Sequence, residues 1–176
     1  DTVVNQGTVA ADGSGAGSFG YDQGFGGGFT AYTGDAIGTS GVDGPAPQEV
    51  YQTARQGYDF SYTLSGLTPG AAYTPRLHFA EIQGLAAGQR VFDVAVNGAA
   101  ALPGFDIAAA AGGADKAVVR EVAATADAGG RVTVRFFNAP LNPAQVNGIE
   151  VASGGATVQT VNCGMPAGGT VSVGAG

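Results

Sequence analysis

The residues of this chain that could do acid–base or metal chemistry are few and scattered. His78 is the only histidine, set in Leu77-His78-Phe79, and Glu81, Asp93, Asp106 and Glu150 follow in separate segments. Glycosidase chemistry needs two carboxyl groups facing one bond, one to give a proton and one to attack or to activate water. Nothing in the spacing pairs these acids. No second histidine and no cysteine cluster accompanies His78, which removes the usual zinc set, and no Gly-x-Ser-x-Gly elbow, P-loop or dinucleotide fingerprint is present. His78 is therefore read as a strand residue, and a noncatalytic protein is expected. Asp12, Asp22, Asp35 and Asp43 sit among glycines, where carboxylates and carbonyls could hold a hard cation. Their spacing fits no EF-hand, and aspartate in loops is ordinarily turn chemistry. No cofactor is required, and calcium stays open as a structural ion.

Sugar recognition asks for different parts: a ring against the C–H face of the pyranose, and planar amide, carboxylate or guanidinium groups that fork onto hydroxyls. The chain has these in its loops. Phe19, Tyr21, Phe25, Phe29 and Tyr32 punctuate a Gly/Ser-rich stretch at 10–33, and Gln48, Gln52, Arg55 and Gln83 lie in or beside turn-rich segments. The rings can pin a long loop to the core or stack on a ligand, and both readings stand.

Composition narrows the partner. A net charge of −7, a single lysine (Lys116) and no basic run argue against nucleic acid and anionic membrane, which need clustered Lys or Arg. A neutral or weakly charged partner is expected. No apolar run is long enough to cross a bilayer. The start at Asp1, without Met or a signal segment, suggests a processed or excised piece of a larger multidomain protein. Cys163 is alone, so no disulfide framework exists.

The elements that must position these residues are strands. Tyr73, Leu77 and Phe79 alternate with Thr74, Arg76 and His78, and Phe92, Val94 and Val96 alternate with Asp93, Ala95 and Asn97. Asn97-Gly98 is a hairpin-turn dipeptide. Between the two strands, Glu81 to Arg90 forms a Gly/Ala-rich loop expected at a hairpin tip. Tyr58, Phe60, Tyr62 and Leu64 alternate into Gly66, and Thr68-Pro69-Gly70 turns the chain into the next, antiparallel strand. Pro75 places its strand at a sheet edge or on an unpaired side. Further strands are expected at 2–5, 118–122, 131–137 and 149–151, with a loop at 108–114. After Val151 the texture changes to Ser, Gly, Ala and Thr with almost no charge, and VQTVNCGMPA at 158–167 echoes TVVNQGTVA at 2–10. Residues 1–152 are read as one domain, and 153–176 as a Gly/Ala/Thr-rich tail that is a linker or the start of a truncated second repeat.

Four segments in register carry a resemblance. These are VYQTAR at 50–55, LHFAE with GQRVFDV and NG between 77 and 98, FDIAAAAGGADKAVV at 105–119, and LNPAQVNGIEV at 141–151. Together they resemble the malectin family of carbohydrate-binding domains over most of 3–151. The resemblance implies that the tyrosine of the YQT motif, Tyr51, and a preceding loop tyrosine, Tyr32, contact sugar. The family's aromatic pair after the Ala-Glu step falls at Gln83 and Gly84, and its acid in the Asn-Pro segment falls at Asn142. Neither member of the pair is aromatic; by composition and loop position Phe25, Phe29 or Tyr21 could supply a substitute platform, with Gln83, Gln48, Gln52 and Arg55 as polar contacts.

The expected fold is all-β, a two-sheet antiparallel β-sandwich of jelly-roll, galactose-binding-like type. The expected function is a noncatalytic carbohydrate-binding module that holds a secreted or cell-surface, bacterial-type protein near polysaccharide or oligosaccharide. The alternative is a structural or adhesive spacer without a working sugar site, with or without stabilising calcium.

Overall fold

The computed structural model of the chain describes residues 19–165. The expected strand at 2–5, Asp12, the N-terminal half of the Val-Asn-x-Gly echo and residues 166–176 lie outside the described residues. In chain order the elements are β1 (Phe25–Gly26), β2 (Phe29–Tyr32), α1 (Gln48–Tyr51), β3 (Thr53–Gly57), β4 (Phe60–Leu64), β5 (Ala72–Ala80), β6 (Val91–Val96), β7 (Ala99–Asp106), α2 (Ile107–Ala111), β8 (Ala117–Glu121), β9 (Ala124–Thr125), β10 (Val132–Phe137), β11 (Ala144–Val146), β12 (Gly148–Ser153) and β13 (Ala156–Asn162).

Alternating apolar residues drive two sheets together. One sheet runs β1-β4-β10-β6-β7, and the other runs β13-β12-β5-β8 with β9 beside β5. Phe60, Tyr62, Val134, Phe136, Phe92 and Val94 from the first meet Leu77, Phe79, Ile149 and Val151 from the second. The rings interlock, with Phe60 stacked on Phe136 and Phe79 tilted against Phe105, each pair 4.8 Å apart. Each such side chain contributes roughly 1.5–3 kcal/mol by burial. The result is the expected antiparallel β-sandwich.

Three features depart from the sequence reading. First, β5 and β6 lie in opposite sheets, so 81–90 is a crossover between layers and not a hairpin tip; β4 and β5 are likewise split. Period-2 alternation marks a strand's buried face but says nothing of which partner it meets. Second, the aromatic 25–32 stretch is not simply loop, because β2 joins β3 and β11 in a third, three-stranded sheet. Third, 107–111 is a short helix. The Asp106 carboxylate accepts from Ala109 N–H, and Gly112 ends the helix at φ 77°, a left-handed position where a Cβ is costly.

The tail boundary also moves. β12 continues to Ser153, and β13 pairs with it, so strands of the sandwich extend past residue 152. β-branched Thr157, Val158, Thr160 and Val161 supply the strand propensity that the Gly/Ala texture hid. Pro75 sits in the interior of its sheet, opposite Val151. On its other side it falls between the residues that pair with β8 and those that pair with β9, where its carbonyl accepts from Val122 N–H and no N–H of its own is needed.

A second, smaller core lies outside the β5 sheet. Ile37, Ala46, Val50 and Tyr51 pack there against Ala54, Ala80 and Ala117. Strand alternation explains His78: Leu77 and Phe79 face the main core, and His78 faces this one, edge-on to Phe19 at 5.6 Å.

Buried amides tie the layers together. Asn147 is fully buried; its Nδ2 donates to Tyr51 O at 2.8 Å and Thr53 O at 2.9 Å, and its Oδ1 accepts from Ala80 N–H at 2.9 Å. Nearby, a Cβ on Gly164, at φ 89°, would overlap the Ala54 carbonyl. Replacing Asn147 with Leu leaves two carbonyls and one N–H buried without partners, each costing about 1–3 kcal/mol. Urea denaturation is expected to show a loss of at least about 3 kcal/mol, with an unchanged m-value.

Candidate functional site

One rim of the sandwich collects polar side chains around the 81–90 crossover. Phe29 of β2, Gln56 of β3 and Gln145 of β11 are lateral neighbours across the small sheet, so all three point to the same face. Gln56 Nε2 donates to Gln145 Oε1 at 2.6 Å and to Gln83 Oε1 at 3.1 Å. Arg90 Nη2 reaches the same Gln83 oxygen at 2.7 Å, while its Nε meets Glu81 Oε2 at 2.6 Å and its Nη1 donates to Pro143 O. Glu81 and Arg90 are buried, whereas Gln83 is exposed. The crossover is therefore anchored at both ends by an internal ion pair, and it presents an amide whose Nε2 meets no acceptor among the described residues.

Only part of the expected set gathers here. Gln83 stands at the centre of the rim. Asn142 is half-buried against the crossover, its Nδ2 donating to Gln89 O at 2.8 Å. Phe29, 51% exposed, is the ring of the rim. Gln56, Glu81 and Arg90 were not anticipated as a group; the signal for Gln56 was alternation, which puts it on the face opposite Arg55.

Other expected contacts lie elsewhere. Tyr51 has 0% exposure and its hydroxyl contacts His78 Nδ1 at 3.0 Å, so its ring presents no face to a ligand. Burial pushes its phenol up to about 12. Arg55 is buried on the other face of β3, where Nε donates to Asp22 Oδ2 at 3.0 Å and Nη1 to Gly27 O at 3.0 Å. Its guanidinium also lies 3.4 Å from the Phe25 ring centroid. These contacts occupy it internally. Tyr32 is 86% exposed, but three residues along from Phe29 it points to the opposite face. Gln52, at that far end, holds Asp35 O through its Nε2 at 2.9 Å. Tyr21 is half-buried, and Gln48 Nε2 donates to Ile37 O at 3.0 Å. The loop aspartates do not converge: Asp22 also accepts from Tyr62, and no group of three His, Cys, Asp or Glu side chains suited to a metal occurs among the described residues.

The profile of the family described as the malectin domain matches residues 2–160. The chain belongs to the malectin family. Its architecture agrees with solved malectin-like structures at a level that speaks for fold. The ANX2 ectodomain from Arabidopsis thaliana is 21% identical with a TM-score of 0.64, over 78% of this chain and 42% of that one. The structure of the plant peptide RALF23 in complex with FER and LLG2 gives 20% identity and a TM-score of 0.64 over 85% of this chain and 46% of the other. Bacteroides uniformis beta-glucuronidase gives 20% and 0.58 over 78% of this chain and 14% of the enzyme. This malectin domain thus spans less than half the length of the solved chains it matches. No curated protein matches it. The fold is of carbohydrate-binding type, and no helix of the described residues is long and apolar enough to cross a membrane.

Beneath the second core the malectin domain carries a titratable cluster. His78 Nε2 stands 3.4 Å from Glu150 Oε2, an electrostatic approach without hydrogen-bond geometry. Glu150 also receives Arg76 Nη1 at 2.8 Å and the Thr157 hydroxyl. His78, Thr157 and Arg76 together hold the Glu150 carboxyl down at about 2, against the opposing effect of burial. Burial lowers the His78 imidazole from its usual value, against Glu150. Both folded values lie below the unfolded ones, so the unfolded chain binds more protons and acid favours it. Stability is expected to fall as pH drops below about 6.5, where an unfolded histidine takes up a proton. It falls again between the ordinary glutamate range and about 2. Melting temperatures across pH check this, and Glu150→Gln flattens the lower limb. At the rim, Glu81→Gln strands a buried guanidinium and is expected to cost about 3–5 kcal/mol, measured by chemical denaturation.

Proposed function

We propose that this malectin domain is a noncatalytic carbohydrate-binding module that takes neutral polysaccharide or oligosaccharide at the Phe29–Gln83 rim. The carrying observation is an exposed ring on the same face as an amide cluster that places Gln83 at the surface. Phe29 offers the apolar platform for a sugar's C–H face, and Gln83 Nε2 offers a donor to a hydroxyl. The Arg90 guanidinium is held by Glu81, Gln83 and Pro143 and is not presented to a ligand carboxylate. Neutral sugars are therefore favoured over uronates. No cofactor is needed for such binding.

The reading extends to context. The similar solved chains are described as plant receptor ectodomains and, in one case, a bacterial glycoside-cleaving enzyme. A secreted or cell-surface protein, tethered to its glycan through this domain, fits the ectodomain neighbours, and its bacterial type is read from the low lysine content and the family resemblance. Affinity per site would be modest, with further copies adding avidity.

One observation favours the spacer reading instead. Tyr51 and Arg55, two of the side chains expected on sugar, are committed to internal packing. A glycan array, run with and without calcium, decides between the two. Saturable binding to neutral glycans is expected, weakened on the order of tenfold by Phe29→Ala with an unchanged melting temperature. An array without any binder leaves the spacer, and calcium-dependent melting would then support its ion-stabilised form.

A further inference from the structure

Among the described residues the outer edge of β2 is bare, and it points to a second binding surface that shares only Phe29 with the glycan rim. Thr33 N–H donates to Gln52 O at 2.9 Å, which makes Thr33 and Gln52 a hydrogen-bonded pair of the antiparallel ladder. Such pairs alternate with non-bonded ones. With the register Phe29↔Gln56, Thr30↔Arg55, Ala31↔Ala54 and Tyr32↔Thr53, Ala31 and Phe29 are the next bonded positions. Thr30 and Tyr32 then direct their N–H and C=O groups away from β3, and no described residue meets them.

Three other edges of the fold carry protecting features. β7 contains Pro103 and two register breaks, and β8 ends in Arg120 and Glu121. Beside β13, Gly20 O accepts from Asn162 N–H. β2, Phe29-Thr30-Ala31-Tyr32, has no proline, charge or bulge. Natural sheets seldom leave such an edge without a partner. Large apolar side chains are also concentrated here, since Phe25, Phe29 and Tyr32 are all exposed within eight residues.

We propose that β2 is a docking edge that takes an extended polypeptide segment of another protein as an added strand. The Thr30 and Tyr32 backbone groups supply the ladder, and Phe29 and Tyr32 grip alternate side chains on the two faces. The segment alternates apolar with polar or basic residues. Basic character follows from charge: the chain has 14 acidic against 7 basic residues, and the exposed Asp35 follows β2. The same imbalance opposes a second copy, because two domains of −7 would meet edge to edge.

The test is selection of a displayed library of random dodecapeptides on the whole chain, followed by Thr30→Pro. Thr30 N–H lies outside the β2–β3 ladder, so proline there removes an outward donor and leaves the inner bonds. Enriched peptides are expected to alternate, to bind at least about tenfold more weakly to Thr30→Pro, and to protect the Thr30 and Tyr32 amides of the wild type from hydrogen exchange. Exchange protection decides the matter if the variant melts early. Peptides that bind Thr30→Pro equally, binding without protection of those amides, or a selection that enriches nothing would overturn the proposal. Thr30-dependent self-association in place of peptide binding would overturn it too, by making the occupant a second copy. Glycan binding lost in Phe29→Ala but kept in Thr30→Pro would separate this edge from the rim.

Discussion

The buried amide of Asn147 is the constraint on which the rest of the structure depends. It stands where the small sheet meets the β5 sheet, and its hydrogen-bonding atoms go to backbone of Tyr51, Thr53 and Ala80. Tyr51 ends α1, Thr53 begins β3, and Ala80 ends β5. One side chain thereby fixes where the small sheet sits against the sandwich. In a dry interior an unpaired amide is costly and a satisfied one is specific. Gln145 and Gln56 extend the same network outward until it reaches Gln83 at the surface. Core architecture and rim geometry are thus one continuous set of hydrogen bonds.

Much of the sandwich was legible in the sequence because its strands bury one face. The alternation around Leu77 and Phe79, or Phe92 and Val94, is a local property and needs no knowledge of partners. Sheet membership is not local, which is why β5 and β6 looked like a hairpin. α2 was hidden by an alanine run without polar periodicity, although Asp106 and Gly112 marked its ends. β13 was hidden by small residues whose strand character came from Thr157, Val158, Thr160 and Val161.

The candidate site was legible only in outline. Gln83, Asn142 and Phe29 could be named from resemblance and composition, and the fold places them on or beside one rim. Tyr51 and Arg55 fell to the interior for a reason that only packing shows. Tyr51 closes the second core over His78, and Arg55 must neutralise Asp22 behind the Phe25 ring. A tyrosine and an arginine in one family-like motif read the same way in one dimension whether they face a ligand or the protein. The ion pair of Glu81 and Arg90 was invisible because its partners bracket a crossover that the sequence presents as a single turn.

That ion pair makes the crossover a clasp. Its two ends are held at Glu81 and Arg90, while the segment between them meets the body through contacts such as Gly88 N–H on Asp106 and Asn142 on Gln89 O. A clasp of this kind separates inheritance from invention. Insertions or replacements between Gly84 and Gln89 can alter what the rim displays while the charges that fasten it stay in place. Lineages carrying this fold could therefore diversify their ligands by rewriting a handful of surface residues, with the sandwich beneath them unchanged.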